Sequence, residues 1–474
     1  MSGTAERTVR HDFGRLPDLA ARRAGGSVVC ASDELFAEKE NLIKSGPPSF
    51  AAARFGHKGQ IYDGWETRRR RSAGHDWAII RLGLPGVVSG VVADTAFFTG
   101  NYPPEISVEG CGVEGYPDPT ELAAAEWLPL VPRVAVAGDA ANEFEVSANC
   151  RVTHVRLRIY PDGGVARLRV HGAAIADPRL LRGSLVDIAA LANGAQVTAC
   201  SNMFYSSPSN LISPGEARNM GEGWETARRR NDANDWVEIR LAAPGLIRLA
   251  ELDTSYFIGN APGWARLTGR PFAAIDAPGT AHPPRAARPS STGPRPPGIA
   301  GAPGTAGPPR TAGPPRTTSA PGTAGPPGTA GPPGTASPPG AIAPSRSGAP
   351  SRSPGQPEPA APGPAGQPGS VELLPRTRLQ PDTGHRFRIE GDTEVSDVRL
   401  DVYPDGGMAR LRLPAELTTA ARDQLALRWF NLLPESQAAA VLAAAGDGHR
   451  TTLAGRPLSS VTDLPPALRA QLRG

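Results

Sequence analysis

The 474-residue chain lacks several features that would assign it to a common functional class. It contains no apolar run long enough to cross a membrane, and its first residues do not resemble a secretory signal, so we expect a cytoplasmic protein with no membrane partner. The four cysteines, at positions 30, 111, 150 and 200, form no Cys-x-x-Cys pair. Such scattered cysteines predict buried free thiols in a reducing compartment, and they argue against a zinc site or a disulfide framework.

An excess of positive charge is also missing from most of the chain. The formal net charge is +4, but residues 277–370 hold seven arginines and one acidic residue. The remainder therefore carries a net charge of −2. Nucleic-acid binding relies on a basic surface, so we expect no nucleic-acid partner for this remainder.

Glycine and proline, in contrast, are abundant, with 55 and 52 residues. Many of them lie in residues 276–370, where glycine recurs at every third position over much of 298–340. That period is typical of collagen, but arginine or serine interrupts it at positions 310, 316, 319 and 337. Because a triple helix admits only glycine at its axis, the pattern favours a disordered insert instead.

Two long stretches of the chain repeat each other. Asp-Gly-Trp-Glu-Thr at 63–67 returns as Glu-Gly-Trp-Glu-Thr at 222–226, an offset of 159 positions. Tyr-Pro-Asp-Gly-Gly occurs at 160–164 and again at 403–407, an offset of 243 positions, so the second copy contains an insertion of 84 residues. A repeat of this length indicates two tandem globular domains rather than a solenoid.

The pattern within each copy predicts an all-β fold. Apolar and polar residues alternate over 155–160 and 165–170, and the Pro-Asp-Gly-Gly between them predicts a hairpin. Residues 77–82 and 87–94 predict a further pair of strands, and many short strands indicate a β-sandwich. The predicted organisation is a lead-in at 1–25, a first sandwich at 26–172, a second at 185–275 plus 371–414, a disordered insert at 276–370 and a helical tail at 418–474.

Four motifs, each present twice in the same order, carry a resemblance to a known family. They are Gly-Trp-Glu-Thr-x-Arg-Arg-Arg, Asp-Trp, Asp-Thr-x-x-Phe-x-Gly-Asn and Tyr-Pro-Asp-Gly-Gly-x-Ala-Arg-Leu-Arg. Over about residues 16–275 and 371–433 the chain resembles the allantoicases. The resemblance implies two jelly-roll domains similar to galactose-binding and discoidin modules. It also implies an enzyme that hydrolyses its small-molecule substrate, allantoate, to ureidoglycolate and urea in purine breakdown.

Such a reaction needs a clamp for the substrate carboxylate and groups that move protons. Arginine fits the clamp because its guanidinium matches a carboxylate in bidentate geometry, and carboxyl groups suit proton transfer. The candidate catalytic residues are Glu66, Glu225, Asp94 and Asp253. The candidate substrate-binding residues are Arg69, Arg70, Arg228, Arg229, Arg156 and Arg399.

Each of these residues also has a purely structural interpretation. The predicted hairpin places Arg156 opposite Arg169, a repulsion that an anion would relieve, but a solvated outer face is the alternative. The run of arginines after Glu66 could equally form a charged rim. Trp65 is predicted as a core anchor, and Asn101 as a turn residue.

No histidine is shared by the two copies, since His75 corresponds to Asn234 and His154 to Asp397. Either catalysis needs no histidine, or the copies are unequal and one active site remains. We predict no cofactor, although a divalent metal such as manganese stays an alternative, as does a homo-oligomer. Two rival functions are a non-catalytic discoidin-like module that binds carbohydrate or another ligand, and a scaffold whose disordered insert recruits partners.

Overall fold

The structure, a computed structural model, describes residues 12–51, 53–272, 369–446 and 450–473. The predicted insert therefore lies outside the described residues, except for its last two positions. Within the described ranges, no helix is both long and apolar enough to span a membrane. The four cysteines are free, as predicted, but only Cys111 is buried, and Cys30, Cys150 and Cys200 are partly exposed.

Repeat one, defined here as the first eleven strands and one short helix, is built around a single long strand. Its elements are β1 (Ser27–Ala31), β2 (Phe55–Gly56), β3 (Gly59–Gln60), β4 (Trp65–Glu66), β5 (Asp76–Asp94), β6 (Glu105–Cys111), α1 (Pro119–Ala124), β7 (Leu128–Ala135), β8 (Ala141–Glu145), β9 (Arg151–Tyr160), β10 (Gly164–Val165) and β11 (Arg167–Ala174). The first half of β5 pairs with β1 and β9, and its second half pairs with β8 and β11. β5 thus runs through both layers of the sandwich, and its register with β9 shifts between Arg81 and Gly86.

Repeat two, defined here as β12–β23, has the same plan. Its strands are β12 (Val186–Asp187), β13 (Gln196–Cys200), β14 (Trp224–Glu225), β15 (Asp235–Ile247), β16 (Leu249–Asp253), β17 (Trp264–Pro271), β18 (Val371–Arg378), β19 (Gly384–Arg388), β20 (Val395–Tyr403), β21 (Gly407–Met408), β22 (Arg410–Arg412) and β23 (Pro414–Glu416). Here β15 and β16 together replace the single long strand, since β15 pairs with β13 and β20, and β16 with β19 and β22. The strands on either side of the insert, β17 and β18, pair with each other.

The core of each repeat lies between its two layers. Trp65 and Trp224 are completely buried, which confirms the predicted anchor role of Trp65. The N-terminal segment also contributes, because Leu19 is completely buried and its amide donates to the carbonyl of Val170 in β11.

The chain ends in a small helical unit. Its helices are α2 (Thr419–Leu432), α3 (Glu435–Ala444), α4 (Arg450–Ala454) and α5 (Pro466–Arg473), as the helical spacing predicts. The Thr418 hydroxyl accepts a hydrogen bond from the Ala421 amide and caps α2. Trp429 and Phe430 of α2 are completely buried in an apolar cluster that includes Ile175 of repeat one, so the tail packs on the first sandwich.

Two strand predictions are wrong. Residues 77–94 form one continuous strand rather than a pair, and the predicted hairpin between 155–160 and 165–170 does not form. β9 pairs with β5 and β6, whereas β11 pairs with a different part of β5. Arg156 therefore lies opposite Ile79 and Glu109, not opposite Arg169.

The glycines of Pro-Asp-Gly-Gly explain this difference, since they allow close packing rather than a two-residue turn. A Cβ on Gly163 would lie 2.6 Å from the backbone nitrogen of Pro103. A Cβ on Gly164 would lie 2.0 Å from the ring of Phe98. In repeat two, a Cβ on Gly407 would lie 1.9 Å from the ring of Phe257. Only glycine lets the backbone approach these neighbours so closely.

Candidate functional site

Glu66 and Glu225 occupy the same place in the two repeats. Each follows a buried tryptophan on a two-residue strand, β4 or β14, which pairs with a strand of the Gly-Gly segment. The indole of Trp65 donates to the carbonyl of Asp33 at 2.8 Å, and that of Trp224 donates to Asn202 at 2.8 Å. A buried, hydrogen-bonded anchor thus fixes each glutamate in position.

Each glutamate is held by an asparagine. The Asn101 Nδ2 donates to Glu66 Oε1 at 2.7 Å, and Asn260 Nδ2 donates to Glu225 Oε1 at 2.6 Å. Asn101, predicted as a turn residue, is therefore also part of the site. The Glu–Asn pair is thus present in both repeats and links two of the predicted motifs.

The environments of the two carboxyl groups differ. Glu66 is buried, with 8% of its surface exposed, whereas Glu225 is half-buried. Burial raises the pKa of Glu66, and the hydrogen bond from Asn101 only partly opposes this. Its second oxygen, Oε2, is buried and has no hydrogen-bond partner among the described residues. Glu66 is thus a carboxyl group whose pKa lies above its ordinary value and whose Oε2 is left without a partner among the described residues.

Arg70 and Arg229 are engaged in the structure rather than open to a ligand. The Arg70 Nη1 lies 2.7 Å from Oδ1 of Asp76, a completely buried carboxylate that also accepts from the Ser32 hydroxyl at 3.0 Å. The Arg70 amide donates to Asp162 at 2.8 Å. In repeat two the same contacts join Arg229, Asp235, Ser201 and Asp405. Both arginines therefore bind the loop to the sheet.

Arg69 and Arg228, their neighbours, point to solvent. The Arg69 side chain is 78% exposed and lies 3.7 Å from Asp162. Arg228 is exposed, and within the described part of the chain its guanidinium forms no ion pair. Of the predicted clamp, these two side chains are the ones that can meet an incoming anion.

Asp94 and Asp253 end β5 and β16 and stabilise the turns that follow. Asp94 Oδ1 accepts from the Ala96 amide at 2.9 Å, and Asp253 Oδ1 accepts from the Ser255 amide at 2.8 Å. These turns lead to Asn101 and Asn260, so both aspartates act on the segment that carries the asparagine of each pair.

Arg156 and Arg399 lie on the outer face of the sheet, each within an ion pair and over an aromatic ring. Arg156 lies 2.6 Å from Glu109 and 4.3 Å from the ring centre of Trp127. Arg399 lies 3.1 Å from Asp401 and 4.2 Å from the ring of Trp236. Neighbouring acids thus neutralise these arginines, so no anion is needed for that purpose.

The outer edge near His75 is unequal between the repeats. His75 lies 5.1 Å from the ring of Tyr160, and burial together with nearby Arg158 lowers its pKa. In repeat two, Asn234 replaces the histidine and donates to Asp401 at 2.9 Å. At this edge repeat two therefore has an internal hydrogen bond from Asn234, whereas repeat one has the titratable ring of His75.

Two exposed aromatic residues were missed by the sequence-based reasoning. Phe97 and Tyr256 occupy equivalent positions and adopt left-handed backbone conformations, with φ of 67° and 71°. Their amides donate to Asp139 and Asp382 at 2.8 Å and 2.7 Å. A bulky residue in this conformation is rare and often marks a functional site. The available signal was the aromatic residue at the same place in both copies of Asp-Thr-x-x-Phe.

The described residues include no group of three or more His, Cys, Asp or Glu side chains that could hold a metal ion. The polar groups of the site are the carboxyl, amide and guanidinium groups named above.

The family model, the similar sequences and a solved structure described below are all allantoicases. A family model described as "Allantoicase repeat" matches residues 17–175, 186–287 and 355–418. A probable allantoicase from Nocardia farcinica is 47% identical over 416 residues, which cover 87% of this chain and 98% of that protein. A probable allantoicase from Streptomyces avermitilis is 39% identical over 90% of this chain and 92% of its own length.

The fold agrees with these matches. The crystal structure of allantoicase from Saccharomyces cerevisiae is 26% identical, covers 85% of this chain and 93% of its own, and superposes with a TM-score of 0.57. The family match extends over both repeats, and the strands superpose on a solved member. This two-repeat β-sandwich chain belongs to the allantoicase family of hydrolases.

Proposed function

We propose that this chain hydrolyses allantoate to ureidoglycolate and urea, acting on a C–N bond of a linear amidine. The observation that carries this proposal is the family relationship, which runs through both repeats and covers 98% of the Nocardia farcinica protein. A non-catalytic member of the family would need only the fold and not the polar side chains of a site. The polar Glu–Asn pair is kept in both repeats as well, which favours chemistry at that position.

The reaction breaks the bond between the central carbon of allantoate and one ureido nitrogen. A hydroxyl group from water takes its place on the carbon, and a proton goes to the departing urea nitrogen. The donor of this proton must be protonated near neutral pH and must present an oxygen that is not already bonded. Burial raises the pKa of Glu66, which favours the role of proton donor, and its Oε2 has no partner among the described residues.

The remaining predicted residues take supporting roles in this proposal. Arg69 and Arg228 are the exposed cations that can attract the substrate carboxylate. Arg70, Arg229, Arg156 and Arg399 position the surrounding strands and loops through their ion pairs. Asp94 and Asp253 hold the turns that lead to Asn101 and Asn260.

Substitution of the paired glutamates tests this assignment. We expect Glu66→Gln to lower urea release by about 10² to 10⁴-fold, the usual contribution of a general acid, and Glu225→Gln to have a smaller effect. If Glu66 donates the proton, wild-type activity should fall as the pH rises through its raised pKa. The measurement is urea release from allantoate by purified full-length protein, with folding checked by circular dichroism.

A surface variant provides the matched control. Glu105→Gln removes an exposed carboxylate that pairs with Arg133, so urea release should remain at the wild-type rate. Wild-type urea release by a folded Glu66→Gln protein would refute the role of Glu66. If the wild-type protein releases no urea, with chelator or with added manganese, the enzymatic proposal fails and a binding module or scaffold becomes the better interpretation.

A further inference from the structure

A pocket lies beside the loop that leads into β14, where the segment before β1 meets repeat two. We call it the Arg410 pocket, and its charged lining residues are Arg23, Arg218, Arg410, Glu216 and Glu222. Arg23 belongs to the segment before β1, and the other residues belong to repeat two. The lining therefore holds three guanidinium groups and two carboxylates.

Arg410 is buried yet incompletely hydrogen-bonded. Only 6% of its surface is exposed. Its Nε donates to Gly215 O at 2.8 Å, and its Nη1 donates to Glu222 O at 2.8 Å and to Ala409 O at 2.7 Å. These bonds use three of the five N–H groups of the guanidinium. The described residues supply no acceptor for the two N–H groups of Nη2.

The equivalent arginine of repeat one, Arg167, has an acceptor for every N–H group of its guanidinium. Its Nε and Nη1 make the corresponding bonds to backbone carbonyls. Its Nη2 donates to Asp63 Oδ2 at 2.7 Å and to Pro47 O at 3.4 Å. All five N–H groups are therefore used, and a carboxylate of the same repeat closes the site.

Repeat two has a carboxylate at the corresponding position, but it points elsewhere. Glu222 lies 159 positions after Asp63, and its side chain accepts from Arg218 Nε at 2.9 Å instead of from Arg410. Gly215 corresponds to Gly46, so Glu216 takes the place of Pro47, but Glu216 accepts no hydrogen bond from Arg410 within the described chain. The acceptor that repeat one supplies internally is thus missing at Nη2 of Arg410.

The charge of the lining is net positive, because three guanidinium groups outnumber the carboxylates of Glu216 and Glu222, and Glu222 is already paired with Arg218. Burial, with neighbouring Arg412 adding to it, lowers the pKa of Arg410 to about 10, so the group still carries its charge near neutral pH. Arg23 is exposed, and it lies close enough to contribute to the same shift. The N–H groups of Nη2 have no acceptor among the described residues, and an oxyanion is the group that satisfies such charged donors best.

We propose that the Arg410 pocket binds a small oxyanion, a carboxylate or a phosphate, between the two repeats. One oxygen accepts from Nη2 of Arg410, and Arg23 supplies a second guanidinium from repeat one. The bound anion takes the place that Asp63 occupies beside Arg167. Binding therefore links the N-terminal segment to repeat two and stabilises the folded chain.

Titration of the full-length protein tests this site. Inorganic phosphate and acetate are the two probes, each at constant ionic strength set with chloride, and binding is measured by calorimetry and by the rise of the unfolding temperature. We expect saturable binding of at least one probe and about tenfold weaker binding in Arg23→Gln, which corresponds to about 1.4 kcal/mol. A preference for acetate indicates a carboxylate ligand, and a preference for phosphate indicates a phosphate ligand.

Arg22→Gln is the matched control. Arg22 is the exposed neighbour of Arg23, does not line the pocket, and bonds to Gly26 O and Glu40 instead. This variant should bind the probe with wild-type affinity. The proposal is overturned if neither probe saturates, or if Arg23→Gln and Arg22→Gln bind with equal affinity. Because Arg23 is exposed, its substitution tests the site without threatening the fold.

Discussion

At the scale of single residues, the two repeats use one buried arginine each for the same structural task. Arg167 and Arg410 follow the Gly-Gly segment and bind the backbone of the loop that precedes the Trp-Glu pair. In repeat one the guanidinium also meets the carboxylate of Asp63. Arg167 therefore has a carboxylate partner, whereas Arg410 has none among the described residues. Substitution of Asp63 measures what this partner contributes to stability.

We expect Asp63→Asn to destabilise the protein by about 2 kcal/mol near pH 7. Partial burial raises the pKa of Asp63, but hydrogen bonds from Arg167 and Lys44 outweigh this and lower it to about 2 from an ordinary value of 3.8. Between about pH 2 and pH 3.8 the unfolded state therefore binds more protons than the native state. The stabilisation is complete above pH 3.8, and it is lost as the pH falls toward 2.

Urea denaturation at several pH values measures this effect. The difference in the free energy of unfolding between wild type and Asp63→Asn should shrink as the pH falls below about 4. Glu222→Gln is the control, because Glu222 pairs with Arg218, whose side chain is 73% exposed, and such pairs contribute about 1 kcal/mol or less. Equal losses in the two variants would contradict the role given to the buried Arg167.

The sequence identified the glutamates but not their partners. Comparison of the two copies is sufficient to select Glu66 and Glu225, since they follow identical residues. It cannot show that Asn101 contacts Glu66, because the two residues are 35 positions apart and the chain between them must fold first. Nor can it separate Arg69 from Arg70, since the direction of adjacent side chains in a loop depends on partners such as Asp76, as the structure shows.

At the scale of elements, strands were easier to predict than their pairing. The alternation of apolar and polar residues depends only on the two faces of one strand, so β9 and β11 were located correctly. Their partner is set by the path of β5, which passes through both layers and separates them. The Asp-Gly sequence suggested a turn, whereas packing of Gly164 against Phe98 is what requires the glycine.

The start of α2 provides a test at this scale. Thr418 accepts from the Ala421 amide at 3.2 Å, and its hydroxyl donates to Glu394 at 2.8 Å. Thr418→Ala should therefore destabilise the protein by about 1 kcal/mol through loss of the N-cap. Thermal or urea unfolding of the full-length protein measures the change.

Two further variants make this test specific. Thr418→Ser keeps a capping oxygen and should recover most of the lost stability. Thr419→Ala changes the exposed first residue of α2, where alanine is the better helix former, so it should cost nothing. A loss in Thr419→Ala as large as that in Thr418→Ala would show that the cap is not the cause.

At the scale of the whole molecule, the two sandwiches are one plan used twice, with unequal polar groups. Glu66 is more buried than Glu225, and His75 corresponds to an asparagine. Nη2 of Arg167 is hydrogen-bonded, whereas Nη2 of Arg410 has no acceptor among the described residues. These differences favour a division of labour, with the proton donor proposed in repeat one and the oxyanion site in repeat two. The duplication was visible in the sequence, but the inequality depends on burial and contacts that only the fold supplies.

The position of the insert leads to the last prediction. β17 and β18 flank it and pair directly, with Gly269 opposite Val371, so the sheet is already continuous where the insert begins and ends. Deletion of residues 277–370 leaves both strands and a short connection, so we expect urea release and the unfolding temperature to be retained. Extending the deletion to residue 378 removes β18, and with it the buried Leu374, so that variant should lose stability and activity. A folded 277–370 deletion protein without turnover would mean that the insert takes part in catalysis.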